Sequence, residues 1–91
     1  MPIRVEFFGI ARQRAGRASL ELNDKSANAT LGGVLTELAA SLPEFGRECV
    51  AVDRLQSALS ANLDGRRFIS DPATPIRDGQ CLLILSADAG G

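Results

Sequence analysis

The sequence predicts a single α+β domain in which a small mixed sheet packs on one main helix. Three observations predict this fold class: stretches that alternate apolar and polar residues, one segment with apolar residues at helical spacing, and turn dipeptides between them. The length of 91 residues, with 45% hydrophobic and 23% charged residues, fits one small soluble globular domain. The predicted order of elements is β-β-α-β-β-β.

The first two strands are predicted on either side of a wide connection. Residues 3–8 are predicted as the first strand: residues 3–7 alternate apolar and polar side chains, and Phe8 breaks the alternation by falling on the polar face. Residues 18–22 alternate again. Residues 9–17 between them contain two glycines and three arginines, which indicates a loop with one helical turn. The two strands are therefore expected to form a hairpin.

The main helix is predicted to begin after Thr30, whose side chain can cap it, and to end before Pro43. Its apolar residues follow the i, i+3, i+4, i+7 spacing. Gly32 and Gly33 predict a first turn that frays or that lies against the sheet with no side chain between. Residues 44–56 show weak periodicity and are expected to be irregular, with a short helical turn.

The last three strands follow from two turn dipeptides and an apolar run. Residues 59–63 alternate, the dipeptide at 64–65 is Asp-Gly, and residues 66–69 form a short strand after it. A second Asp-Gly dipeptide at 78–79 precedes residues 81–85, which are apolar enough for a central strand. Residues 1–86 are thus predicted to form the domain, with residues 87–91 as a flexible tail.

Composition excludes several functions. A domain of this length has little room for an enclosed active site, and the absence of histidine removes Ser-His and Cys-His nucleophile pairs. Cys49 and Cys81 match neither a CxxC motif nor a zinc-site spacing, so we expect two reduced thiols and no bound metal. No apolar run reaches the roughly 18 residues of a membrane span, and a cytoplasmic protein is expected.

The net charge of −1 predicts no nucleic-acid partner. The first 17 residues nevertheless hold four arginines against Glu6 alone: Arg4, Arg12, Arg14 and Arg17. They form either a local basic patch, which could steer a partner, or an ordinary solvated edge.

The sequence finishes with Gly90 and Gly91, directly after the last predicted strand. At the average glycine usage of about 7%, roughly one chain in 200 would show this pair by chance. Two residues without Cβ atoms allow a carboxylate to pass through a narrow channel in another protein, and residues 87–91 could reach about 17 Å beyond the sheet. No phosphate-binding loop accompanies them, so any activating site belongs to a partner.

The sequence resembles the ubiquitin-like sulfur carriers, the MoaD/ThiS family, which includes the small subunit of molybdopterin synthase. The resemblance covers nearly the whole chain, through IRVEFFGIARQRAG, TLGGVLTELAASLP, ANLDGRRF, PIRDGQCLLIL and the final ADAGG. It implies a ubiquitin-like β-grasp fold and a carrier rather than an enzyme. In this family an E1-like adenylyltransferase uses ATP to adenylate the terminal glycine, which becomes a thiocarboxylate and then donates sulfur.

Carried over to this sequence, the resemblance assigns the acyl adenylate and thiocarboxylate to Gly91 and the backbone clearance to Gly90. Alternation in the last strand points Leu83 and Leu85 away from the core, where they are expected to join Phe8 in a partner-binding patch beside the tail, with Ala89 within it. The implied partners are the E1-like enzyme and a sulfur-accepting synthase. No bound cofactor is expected.

The pathway and the function class have alternatives. Length and general resemblance favour molybdenum cofactor (molybdopterin) biosynthesis over thiamin or cysteine biosynthesis. The family's molybdopterin members often carry prolines before the Gly-Gly pair, where this sequence has Ser86, Ala87, Asp88 and Ala89. The alternative classes are a ubiquitin-like protein modifier and an interaction module whose glycine tail is only a flexible end.

Overall fold

The computed structural model describes residues 2–23 and 29–87. Seven strands and three helices lie in these ranges. The strands are β1 (Ile3–Phe7), β2 (Ser19–Leu22), β3 (Val50–Ala51), β4 (Arg54–Leu55), β5 (Leu59–Leu63), β6 (Arg67–Ile69) and β7 (Cys81–Ser86), and the helices are α1 (Gly9–Ala15), α2 (Leu31–Ser41) and α3 (Pro43–Cys49).

Five strands form one mixed sheet in the order β2-β1-β7-β5-β6. The predicted hairpin is present, because β1 and β2 pair antiparallel with Val5 opposite Leu20. The strand β7 lies in the middle, parallel to β1 and antiparallel to β5. The last apolar strand of the sequence is therefore the central strand, as its composition predicts.

The core lies between one face of this sheet, here called the inner face, and the helices. Val5, Leu82 and Ile84 from the sheet and Leu35 and Leu38 from α2 have no exposed surface. The rings of Phe7 and Phe45 meet edge to face, with centroids 5.2 Å apart, and join α3 to the same core. Alternation along the strands leaves the other face, the outer face, outside this core.

Two segments differ from the sequence prediction. Residues 9–15 form the two-turn helix α1 rather than a loop with a single turn, and Gly16, with φ of +74°, ends it in the left-handed region. Residues 44–56, predicted to be irregular, form most of α3 and the two-stranded β3–β4 hairpin. Each segment is short, and its apolar contacts are to distant parts of the chain, so local periodicity is weak in both.

The main helix begins as predicted. The Thr30 side-chain oxygen accepts a hydrogen bond from the Gly33 N–H at 3.1 Å, which caps α2. Gly32 does not lie against the sheet, however. A Cβ atom at this position would come within 3.1 Å of Pro72 and 3.3 Å of Asp53, so the glycine permits the loops beside α2 to approach its backbone. Within the described ranges, none of the helices has the length and apolar content needed to cross a membrane.

Candidate functional site

The central strand β7 carries the predicted partner-binding leucines. Leu82 and Ile84 are fully buried on the inner face, whereas Leu83 and Leu85 are partly exposed on the outer face. The alternation proposed from the sequence is therefore present. Because the strand is hydrogen-bonded on both sides, these two leucines occupy fixed positions on the outer face.

Phe8 lies beside them at the end of β1. Its backbone N–H donates to the Ile84 carbonyl at 2.9 Å, which holds Phe8 next to Leu85 on the neighbouring strand. The residue stays in an extended conformation while α1 begins immediately after it, and its side chain is 43% exposed. A large apolar side chain is thus exposed where the sheet passes into a helix.

A fourth apolar residue, Phe68, was not identified from the sequence. It lies on β6 opposite Asn62 of β5, and Asn62 in turn lies opposite Leu83 of β7. Phe68 is 52% exposed, more than Phe8. The Asp-Gly turn and the buried Ile69 beside it could have indicated that Phe68 points outward. We call Phe8, Phe68, Leu83 and Leu85 the outer-face patch.

The tail begins at a hydrogen-bonded position. The Ala87 N–H donates to the Ala58 carbonyl at 2.9 Å, one step beyond the pairing of Ser86 with Leu59. The predicted tail residue Ala87 is therefore attached to the sheet. Ala89, Gly90 and Gly91, which the sequence analysis assigns to the tail's contact and reactive positions, lie outside the described residues.

A surface cavity of about 470 Å³ opens beside the base of the tail. Its wall includes Ala87, Phe68 and Ser60, together with Leu55 and Arg54 of the small hairpin. Arg54 lies 3.4 Å from the Asp53 carboxylate, and both side chains are about half exposed, so this ion pair adds little stability. The wall of the cavity also includes the buried residues Leu59, Ala61 and Ile69, so that Phe68 is the one residue it shares with the outer-face patch.

The four N-terminal arginines do not form one basic patch. Arg4 is on the outer face of β1, where it contacts Glu6 at 2.9 Å and Glu21 at 3.9 Å. Arg14 lies 3.9 Å from Glu44. Arg12 and Arg17 instead line an open groove next to Gly9, at the end of β1 that is far from Arg4.

The two cysteines are free thiols in separate environments. Cys49 is buried in the core, and Cys81 is partly exposed at the start of β7. Burial raises the pKa of both thiols, and the carboxylate of Glu6 adds to the rise at Cys81. Across residues 2–23 and 29–87, no three histidine, cysteine or acidic side chains come together as a metal site would require.

The fold matches those of several small proteins. SAMP1 from Haloferax volcanii superposes with a TM-score of 0.78 at 18% identity, over 100% of both chains. A chain of the BexX/CysO complex from Amycolatopsis orientalis gives 0.74 at 20% identity, over 98% of this chain and 99% of that one. A Pyrococcus furiosus protein, provisionally described as subunit 1 of molybdopterin converting factor, gives 0.76 at 18% identity, over 94% and 97%. No protein-family model and no curated protein sequence matches the chain.

These neighbours confirm the fold class. The domain has the ubiquitin-like β-grasp fold: a mixed five-stranded sheet that packs on a main helix, with β7 as its central strand. The resemblance to ubiquitin-like sulfur carriers, noted from the sequence, is thus confirmed at the level of the fold.

Proposed function

We propose that the protein is a sulfur carrier in which the carboxylate of Gly91 is the reactive group. The observation that supports this most is the position of β7. The central strand of the sheet brings the chain to Ala87, at the edge of the outer-face patch, so that Gly91 lies only four positions beyond an ordered hydrogen bond. A partner that binds the patch would hold the tail at a defined distance from its own active site.

The chemistry needs activation, because a carboxylate is a poor acyl donor. In the proposed first step, a Gly91 carboxylate oxygen attacks the α-phosphate of ATP in an E1-like adenylyltransferase, and pyrophosphate leaves. Hydrosulfide then attacks the acyl carbon. The C–S bond forms, the C–O bond to AMP breaks, AMP leaves with the electron pair, and a thiocarboxylate remains. In a sulfur-accepting synthase the sulfur bonds to the acceptor substrate, water then cleaves the acyl C–S bond, and the Gly91 carboxylate is restored.

In this proposal the chain supplies no acid, base or metal to these steps. Its contribution is binding: the outer-face patch docks on the activating enzyme and on the synthase in turn, and residues 88–91 extend into each active site. Without Cβ atoms, Gly90 and Gly91 leave the backbone narrow enough for a closely fitting channel. All three proteins would work in the cytoplasm.

For the pathway, we propose molybdopterin synthesis, with cysteine or thiamin synthesis as the alternatives. The description of the Pyrococcus furiosus neighbour supports the first, and the BexX/CysO complex shows that a similar fold also forms a complex with another protein. Copurification with a molybdopterin-synthase large subunit or with a cysteine-forming synthase would separate these pathways.

The experiment is an intact-mass measurement after incubation with ATP, an E1-like enzyme and a sulfide source. We expect a mass gain equal to the replacement of one oxygen by sulfur. The matched control is the same protein with one residue added after Gly91, which folds normally but presents the wrong carboxylate. Absence of the gain in the unextended protein, or its presence in the extended one, would contradict the proposal.

A protein modifier is the second candidate, supported by the structural similarity to the small archaeal modifier protein 1 of Haloferax volcanii. The same acyl adenylate would then be attacked by a lysine amine, and an isopeptide bond would form as AMP leaves. This function predicts Gly-Gly remnants on lysines of other proteins after digestion. They should disappear when Gly91 is deleted.

A further inference from the structure

The end of β7 is attached to the sheet on one side only. On the β1 side, the last backbone hydrogen bond within the described ranges runs from the Phe8 N–H to the Ile84 carbonyl. On the β5 side, pairing continues as far as the bond from the Ala87 N–H to the Ala58 carbonyl, at 2.9 Å. The three residues that follow Ile84 are therefore held by β5 alone.

The hydrogen bond at Ala87 decides how much chain connects the sheet to Gly91, a segment that we call the tether. With this bond in place, the tether holds four residues and spans at most about 13–14 Å. Cross-strand bonds of an antiparallel pair recur at every second residue, so the preceding one joins Leu85 to Ser60. Without the Ala87 bond, the tether begins after Leu85, holds six residues and spans up to about 20–22 Å.

The acceptor of this hydrogen bond is fixed by its own surroundings. Ala58 lies in the turn before β5, where the Leu59 N–H donates to the Gln56 carbonyl at 3.0 Å. The Gln56 N–H in turn donates to the Cys49 carbonyl at 2.8 Å, and Cys49 is buried at the end of α3. The bond at Ala87 thus joins the tether to a point that the core holds in place.

We propose that Ala87 is a positioning residue for the reaction at Gly91, because its hydrogen bond to the Ala58 carbonyl sets the length of the tether. The proposal rests on the carrier function above, since it concerns the adenylation step in the E1-like enzyme. A carboxylate on a short tether has a higher effective concentration at one place than the same carboxylate on a longer tether. Ala87 itself makes and breaks no covalent bond.

Ala87→Pro removes the N–H donor and lengthens the tether. Proline restricts the residue before it to extended conformations, which Ser86 already adopts in β7, so we expect a melting temperature close to that of the wild type. Effective concentration falls roughly as the −3/2 power of tether length. The kcat of adenylation should therefore fall about twofold, with the KM for this protein unchanged. Ala87→Ser keeps the N–H and is the matched control.

Deletion of Asp88 shortens the tether by one residue, or about 3.3–3.6 Å. A tether that cannot span its two sites prevents the encounter altogether, so we expect kcat to fall by about tenfold or more. Adding Ala87→Pro to this deletion releases chain from the sheet and should restore kcat to within about twofold of the Ala87→Pro protein. Asp88→Ala, which keeps the length, controls for the lost charge. Pyrophosphate exchange in the presence of the E1-like enzyme measures all of these rates.

The opposite effects of Ala87→Pro on the two tether lengths separate positioning from stability. If Ala87→Pro lowers kcat in the full-length and the shortened protein alike, Ala87 has only a structural role and the proposal is wrong. If deletion of Asp88 leaves kcat unchanged, the tether has spare length and the proposal is also wrong. Adenylation of the wild type leaves the carrier function intact in both cases.

Hydrogen exchange of the Ala87 amide, followed by NMR, tests the bond without any enzyme. We expect this amide to exchange more slowly than an unprotected peptide amide at the same pH. Exchange at the unprotected rate would overturn the role of Ala87 without bearing on the carrier function. A protected Ala87 amide in a wild-type protein that the enzyme does not adenylate would defeat the carrier function, and the role of Ala87 with it.

Discussion

Replacing Gly46 by alanine tests how closely α3 packs on α2. A Cβ atom at Gly46 would come within 2.8 Å of the Cα and Cβ atoms of Ala39 and 2.9 Å of its carbonyl oxygen. Real Cβ atoms do not approach other atoms so closely, and the atoms that would be hit belong mainly to a helix backbone. The two helices must therefore move apart, and the Phe45 ring next to Gly46 must move with α3.

The size of the stability change caused by Gly46→Ala follows from two opposing effects. Alanine in a helix is favoured over glycine by about 0.5–1 kcal/mol through backbone entropy alone. Overpacking a well-packed contact costs about 1–3 kcal/mol. We expect Gly46→Ala to lower the free energy of unfolding by about 1–2 kcal/mol, which for a domain of this size lowers the melting temperature by roughly 4–16 °C.

Gly33→Ala is the matched control, since the same methyl group is added to the neighbouring helix. There the new Cβ would meet only the Thr30 hydroxyl oxygen, at an ordinary 3.4 Å. Because no clash opposes it, the backbone-entropy advantage of alanine remains, and we expect the free energy of unfolding to rise by about 0.5 kcal/mol. The two substitutions should thus shift stability in opposite directions.

Urea unfolding followed by far-UV circular dichroism measures both variants, because the protein has no tryptophan or tyrosine for fluorescence. A Gly46→Ala variant as stable as the wild type would refute the reasoning, since it would show that α2 and α3 separate at little cost. A destabilised Gly33→Ala variant would refute the assumption that the space around the new Cβ atom decides whether the substitution raises or lowers stability.

Three further predictions concern the cap, a turn and the thiols. Thr30→Ala should cost about 1 kcal/mol in urea unfolding, because the Gly33 N–H loses its acceptor, whereas Thr30→Ser should cost little. Asp64→Ala should cost about 1–2 kcal/mol, because Asp64 accepts from the Cys81 N–H at 2.8 Å and adopts a positive φ of 60°; Asp64→Asn, which tolerates that φ, should be milder. Burial raises the pKa of Cys49 and Cys81 in the folded protein. Their contribution to the free energy of unfolding is therefore complete below the ordinary thiol pKa, and it is lost as the pH rises through the pKa values of the folded state. Stability should fall from pH 7 to alkaline pH, and less so in the Cys49→Ala/Cys81→Ala double variant; an equal fall in both would contradict this.

The sheet could be predicted from the sequence because its strands alternate or are bounded by clear turns. The order of the main elements, the Thr30 cap and the outward direction of Leu83 and Leu85 all depend on patterns within a few residues. The prediction failed where the structure of a segment depends on contacts with distant residues. Residues 44–56 owe their structure to distant contacts, such as the Phe45 ring against Phe7 and the Gly46 backbone against Ala39.

The candidate site shows the same division. Phe8 could be identified from the sequence because it interrupts an alternating pattern. Phe68 and Asn62 fit the alternation of their own strands, and only the order of the strands shows that they lie in line with the patch. The neighbours of β5 are set by the strand order of the whole sheet, and the sequence of β5 alone does not predict them.

The parallel pairing of β1 with β7 also determines when the domain can fold during synthesis. Arg4 lies opposite Cys81, so the first strand to leave the ribosome waits for the last one before the sheet can close. Until then, β1 and β5 each expose a strand edge that β7 will later occupy. A nascent chain would therefore have no completed outer face for a partner, and the outer-face patch would form only after the strand that carries the tail has been made.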